Sequence, residues 1–158
     1  MTGILKPAGD VEWDEVRRWY DRDPMLDREL EPWTAAAVAF SRSSAETQLL
    51  AYFEEGVMVA YLECHDWPAE PEPEHGTHEP CHSVTVAVHP DLRGRRIATR
   101  AVQALLSSSH VAFDLILAHV RPGHVISQRL CARLGFRQTD PSNPDGTLLT
   151  FERRLSDG

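Results

Sequence analysis

The stretch Cys81–Pro90, CHSVTVAVHP, runs directly into DLRGRR and then into IATRAVQALLSS. No other part of the chain constrains the fold as tightly. Val84, Val86 and Val88 alternate with other residues at the period of a strand, while Ile97, Ala101, Ala104/Leu105 and Ser108 recur at the period of a helix. Strand, glycine-containing turn and helix follow one another without a linker. The strand must therefore lie in a sheet and the helix must fold back onto it.

The turn itself has a chemistry. Arg93, Arg95, Arg96 and Arg100 surround Gly94. A turn that feeds a helix N-terminus gathers backbone N–H groups that have no acceptor within the helix, with the positive end of the helix dipole behind them. Glycine lets the backbone come close to a bound group, and guanidinium groups match phosphate oxygens in charge and shape. The expectation is an anion cradle. Neither GxxxxGK[ST] nor GxGxxG occurs, so neither the triphosphate loop nor the dinucleotide fingerprint supplies the anion.

The charge pattern points the same way. Between Ser43 and Asp91 there are ten acidic residues and no Lys or Arg; from Arg93 onward there are ten arginines and five acids. The C-terminal half is built to meet an anion and the middle to attract a cation. A net charge of −8 and the lack of exposed aromatics interleaved with the basic segments argue against nucleic acid.

Elsewhere the periods are clear. Residues 11–22 place Trp13, Val16 and Trp19/Tyr20 on one helical face, and MLDRELEPWTAAAVAFS reads as a second helical region broken near Pro32. TQLLAYFEE and VMVAYLECH form a hairpin, and residues 66–80, with four prolines, form a long loop. FDLILAHV is a buried strand. ISQRLCARLGF is a helix with an apolar stripe Ile126–Leu130–Leu134, ended by Gly135 in the left-handed conformation with Phe136 as its apolar partner. After the turn NPDG, TLLTFERRL is the last strand. The order predicts one domain over 1–158, of the α/β (α+β) class with helices on both faces of a sheet. No stretch has the apolar length of a membrane span and the first residues lack a secretory pattern, so the expected location is cytoplasmic. Cys64, Cys81 and Cys131 are then expected to be free thiols. Cys64, His65, His75, His78, Cys81 and His82 crowd the long loop, but without a CxxC pair no metal site is assigned.

Two blocks, VAVHPDLRGRRIATRAV and AHVRPGHVISQRLCARLGF, together resemble the acetyl-CoA motifs of the GNAT superfamily of N-acetyltransferases, V-x-V-x-P-x-x-R/Q-G-x-G-I-G/A and V-x-P-x-N-x-x-S-x-x-L-Y-x-x-x-G-F. The resemblance spans residues 86–136. It implies a mixed, mostly antiparallel sheet with a splayed central strand pair, and acetyl-CoA as co-substrate. By position, Arg93, Gly94, Arg95, Arg96, Ile97, Ala98 and Thr99 hold the diphosphate; Val86 and Val88 offer main-chain groups to the pantetheine arm; Ser127, near the far end of the cofactor, and His124 bind it from the second motif. Arg96 stands where the motif prefers glycine, His124 replaces asparagine, and Cys131 replaces the tyrosine that often protonates the leaving thiolate.

The implied reaction is attack of a primary amine, from a small cationic molecule or a protein, on the thioester. It needs a base, a hydrogen-bond donor for the carbonyl oxygen and a proton for the thiolate. The N–H of Val88 is the expected donor. No acid stands at the start of the strand Ser83-Val84-Thr85, which leaves His82 or Glu63 as base, and Cys131 is the candidate acid. NPDG resembles a turn of aminoglycoside 6′-N-acetyltransferases. A homodimer is compatible with the family, and a noncatalytic acyl-CoA-binding module of the same fold is the alternative.

Overall fold

A computed structural model describes residues 3–29, 35–67, 79–139 and 148–157. Its strands are β1 (Ile4–Pro7), β2 (Thr47–Glu54), β3 (Val57–Trp67), β4 (Cys81–Val88), β5 (Leu115–Val120), β6 (Arg137–Gln138) and β7 (Leu149–Arg154). Its helices are α1 (Asp10–Arg22), α2 (Pro24–Glu29), α3 (Ala35–Ser43), α4 (Ile97–Leu106) and α5 (Val125–Arg133). The strands form one sheet in the order β1-β2-β3-β4-β5-β7-β6. Every pairing is antiparallel except β4 with β5, which is parallel.

The main apolar periods fold as expected, although α4 ends at Leu106, before Ser108. α1 buries Trp13, Val16 and Trp19, and α4 buries Ile97, Ala101, Val102 and Leu105. One core layer joins α4 and α5 to the face of the sheet that carries Leu62, Cys64 and Ile116. A second layer packs Val16 and Trp19 of α1 against Ala51, Tyr61 and Ala87 on the opposite face. α5 ends in a Schellman motif: Phe136 N–H donates to the Cys131 carbonyl (2.9 Å) and Gly135 N–H to that of Ala132 (3.1 Å), with Gly135 at φ +82°. No helix among the described residues is long and apolar enough to cross a membrane.

Several expectations change. β1 and β6 are short strands at or near the sheet's edges, too brief for a periodic pattern to announce them. β3 runs on through Asp66 and Trp67, which pair with His82 and Cys81, so the long loop starts later than residue 66. Ile126 is 76% exposed; the inward face of α5 is carried by Cys131 and Leu134, with Ser127 and Leu130 half-buried. The break near Pro32, the NPDG turn, His75 and His78 lie outside the described residues.

Candidate active site

The two halves of the sheet are held together by three rungs. Cys81, His82 and Ser83 of β4 pair with Leu115, Ile116 and Leu117 of β5, and beyond Ser83 no rung connects these strands. β4 nevertheless continues to Val88, paired along its other edge to β3 as far as Ala60. His89 N–H donates to the Val59 carbonyl (3.0 Å), and main-chain groups alternate in direction along an antiparallel ladder. The N–H groups of Thr85 and Ala87 therefore point at β3. Those of the even-numbered residues turn to the other edge, where Val84 N–H still serves the last rung to β5 and those of Val86 and Val88 point into the gap.

At the end of this gap stands the arginine turn. Pro90–Leu92 form one 3-10 turn, Gly94 has φ +78°, and Arg96 caps α4 from the left-handed region at φ 60° with no side-chain cap on the helix. The amides of Ile97, Ala98 and Thr99, in the first turn of α4, have no acceptor within the helix. A Cβ built on Gly94 meets nothing within 4 Å, so the space above it is open. That is a cradle a diphosphate fits and a side chain would begin to fill.

The four arginines divide by role. Arg93 forms an ion pair with Asp23 after α1, tying the turn to the opposite layer. Arg100 donates from Nε and Nη2 to the two oxygens of Glu54 (2.6 and 2.8 Å) and from Nη1 to the Arg95 carbonyl (2.8 Å). Glu54 is buried, accepts a further bond from the Tyr52 hydroxyl (3.0 Å), and is held below its usual carboxylate range chiefly by the Arg100 bond. Arg95 and Arg96 are exposed and make no ion pair among the described residues, so their charge is available to a ligand. Ile97 and Thr99 are buried, and the Thr99 hydroxyl accepts from Arg133 (3.1 Å), so what the two turn toward the cradle is their amides.

The gap widens into a cleft of about 620 Å³ that opens to both faces of the sheet. On the α5 side it is lined by Ala118, Val120, His124, Ser127, Leu130 and Cys131. His124 caps the start of α5, and its Nδ1 lies 2.8 Å from the Ser127 hydroxyl. On the α1 side lie Tyr61, Glu63, His65 and Trp67, alternate residues of β3 that share a face with Ser83 and Thr85 of β4. Glu63 is paired directly with Thr85, just past the point where the strands part, and its Oε1 accepts from the Tyr61 hydroxyl (2.8 Å). Burial, then the Glu63 charge, pushes the Tyr61 phenol up. Trp67 donates to the Ser83 hydroxyl (2.9 Å), and the His65 Nδ1 sits 2.7 Å from that of Thr47.

The three expected proton carriers fare differently. Glu63 faces the cleft. His82 does not: it is fully buried, its Nε2 accepts from the amides of Ala112 (2.9 Å) and Phe113 (3.1 Å), and its Nδ1 lies 2.8 Å from Asp66. Those contacts place the proton on Nδ1 and leave neither nitrogen for an amine, so the role of base does not fit His82. They also decide the nearby trio Cys64, Asp66 and His82, whose ligand atoms lie within 4.8 Å of one another. A metal on Nδ1 would require an imidazolate or the loss of both amide bonds, and burial pushes the Cys64 thiol up to about 12. Cys131 lines the cleft, but burial pushes its thiol up to about 11. It is then a weaker acid than an ordinary alkyl thiol and a poor source of a proton for one.

Two features escaped sequence reasoning. Glu54, the anchor of Arg100, is 46 residues away in the chain and reads as one of many acids. The aromatic wall was foreshadowed by the alternation Tyr61-Glu63-His65-Trp67, whose shared face becomes meaningful only beside the split strand.

Solved structures of this architecture are numerous. The GNAT domain of S. lividans PAT superposes with a TM-score of 0.77 at 14% identity, over 98% of this chain and 92% of that one. The aminoglycoside acetyltransferase AAC(6')-Ib, in complex with coenzyme A and kanamycin, gives 0.73 at 14% identity over 98% and 96%. The protein yncA from Salmonella typhimurium, with its cofactor acetyl-CoA, gives 0.70 at 16% over 98% and 95%. At these identities the likeness is one of fold. No curated protein matches the chain in sequence. The profile of the acetyltransferase (GNAT) family matches residues 13–136, from the first core tryptophan of α1 to the phenylalanine that closes α5. A match over that much of the sequence, on a sheet split where the family's motifs meet, makes the chain a member of the GNAT family of acetyltransferases and an acyltransferase.

Proposed function

We propose that this chain transfers an acetyl group from acetyl-CoA directly to a primary amine in the cleft between β4 and β5. The observation that carries the reading is the pair of main-chain amides of Val86 and Val88 facing a gap that ends at the Gly94 cradle. The diphosphate would lie on the amides of Gly94–Thr99, with Arg95 and Arg96 adding charge. The extended pantetheine arm would take the place of the missing rungs along β4, with His124 and Ser127 across from it.

Register helps choose the hydrogen-bond donor for the carbonyl oxygen. Glu63 lies opposite Thr85, so the nearest amide that faces the gap beyond the last rung belongs to Val86; Val88 is three residues beyond Thr85, about 10 Å along the strand. Val86 N–H is therefore the better donor, and Val88 serves the arm. Glu63 takes the proton of the bound ammonium while Tyr61 holds its carboxylate in place. The neutral nitrogen then forms the N–C bond as the C–S bond breaks. The nitrogen loses its surplus proton and the thiolate gains one, supplied by water in preference to Cys131. Much of the rate would come from holding amine and thioester together.

The test joins calorimetry to a thiol-release assay. Coenzyme A should bind the wild-type chain. Gly94→Ala should keep the fold, at a cost of about 1 kcal/mol for its positive φ, yet lose cofactor affinity. Unchanged affinity in that variant would reject the cradle. Cofactor binding without thiol release for any of a panel of amines would assign the chain to the noncatalytic alternative.

A further inference from the structure

The wall on the α1 side of the cleft has a composition of its own. Trp13 and Tyr20 from α1, Phe40 from α3 and Tyr61 and Trp67 from β3 all face it. Trp13 meets Tyr61 edge to face with ring centroids 5.8 Å apart, and His65 packs at 4.3 Å against Trp67, so the wall is preorganised. Phe40 is 67% exposed at the rim, a large apolar ring with no core to fill. Against these rings the described lining holds a single carboxylate, Glu63. One cation, Arg121, stands in the lining; Arg42, whose guanidinium lies 5.4 Å above the Trp13 ring, is already paired with Asp10.

We infer that the acceptor is an arylalkylamine, a primary amine with one positive charge joined by a short alkyl chain to a flat apolar ring. The inference rests on the transferase reading and names its substrate class. One ammonium is matched by one carboxylate and can lie against ring faces. A second or third ammonium, as in a polyamine or an amino sugar, would meet Arg121 and find no further carboxylate in the described lining. The hydroxyl-rich surface of an amino sugar would lose water against indole and phenyl rings that return few hydrogen bonds. A flat apolar ring loses nothing there and gains its burial. The reaction balances as before: amine and acetyl-CoA give the N-acetylated arylalkylamine and coenzyme A, with the ammonium's surplus proton released and one taken up by sulfur.

The experiment uses the full chain with acetyl-CoA and four amines: 2-phenylethylamine, butylamine, spermidine and kanamycin. Thiol release and quenching of tryptophan fluorescence are both followed. The expected kcat/KM for 2-phenylethylamine exceeds that for butylamine by about thirtyfold, the yield of burying one phenyl ring, and that for spermidine by at least as much. Phe40→Ala, at an exposed position that should not disturb folding, should narrow the ratio of 2-phenylethylamine to butylamine by about fivefold. Equal rates for those two amines, or a preference for spermidine or kanamycin, overturns the substrate class and leaves the transferase standing. Saturable quenching by 2-phenylethylamine, weakened in Phe40→Ala but without thiol release, supports the binding preference while removing the transferase. Neither quenching nor release removes both.

Discussion

His82 and Glu63 begin as rivals for one role and end as unlike residues. Both occur beside apolar strand runs, and an imidazole has the better intrinsic pKa for a base. What separates them is which way each strand turns its residues and what lies beyond the sheet. His82 is fully buried and receives the amides of Ala112 and Phe113, which lie in the segment between α4 and β5. Its chemistry is spent on holding that segment to the sheet. His82→Ala should leave two amides without an acceptor and the Asp66 carboxylate without its donor, at a cost of about 3 kcal/mol. The urea midpoint should fall with the slope unchanged. A general base removed from an acyl transfer costs about 10²–10⁴ in rate. If the folded fraction of His82→Ala lost activity on that scale while keeping its stability, the structural role would be rejected.

At the level of elements, the cradle depends on how α4 is seated. Arg100 reaches from the first turn of α4 both to the Arg95 carbonyl and to Glu54 at the end of β2, so a buried carboxylate on one strand sets the shape of a turn at the end of another. Glu54→Gln should weaken the bidentate pair by about 2 kcal/mol, a figure reduced from fully buried pairs because Arg100 keeps about a third of its side chain in solvent. Coenzyme A affinity should fall with it although Glu54 is not in the described lining of the cleft. The pH dependence has a definite sign. Arg100 depresses the Glu54 pKa below its ordinary 4.5, so the pair's contribution is complete above that pH and is lost as pH falls through the lower folded value. The stability gap between wild type and Glu54→Gln should therefore be widest near neutrality and close in acid. A gap that grew on acidification would show that another group holds α4 in place. The sequence displayed the arginine turn plainly because its residues are contiguous. Its anchor was hidden because only the pairing of β2, β3 and β4 brings Glu54 to Arg100. The same distinction explains α5: Gly135 and Phe136 form a local motif and behave as expected, whereas the exposure of Ile126 depends on how the whole helix is turned against the sheet.

Across the whole molecule the decisive feature is a discontinuity that no residue pattern announces. The alternation of Val84, Val86 and Val88 predicts a paired strand, and on the β3 side it is one; the loss of pairing to β5 after Ser83 entered only through resemblance to a family. The consequence is a sheet in two parts, β1–β4 and β5–β7–β6, joined by three rungs and by the helices that cover them. A ligand lying in the gap would complete the ladder. This can be read directly by hydrogen exchange. In the free chain the amides of Val86 and Val88 face the gap and should exchange faster than those of Thr85 and Ala87, which face β3 in the same strand. Adding coenzyme A at about a hundred times its dissociation constant should stabilise the fold by about 2.7 kcal/mol and raise the urea midpoint accordingly. The alternation of fast and slow amides along β4 should be erased, because the arm accepts hydrogen bonds where β5 does not. Protection confined to Gly94–Thr99 would mean that the diphosphate alone is held and the arm lies elsewhere. Uniform protection of Val84–Val88 before any ligand is added would mean that β4 and β5 close up in solution, and the cleft on which acetyl transfer depends would not exist.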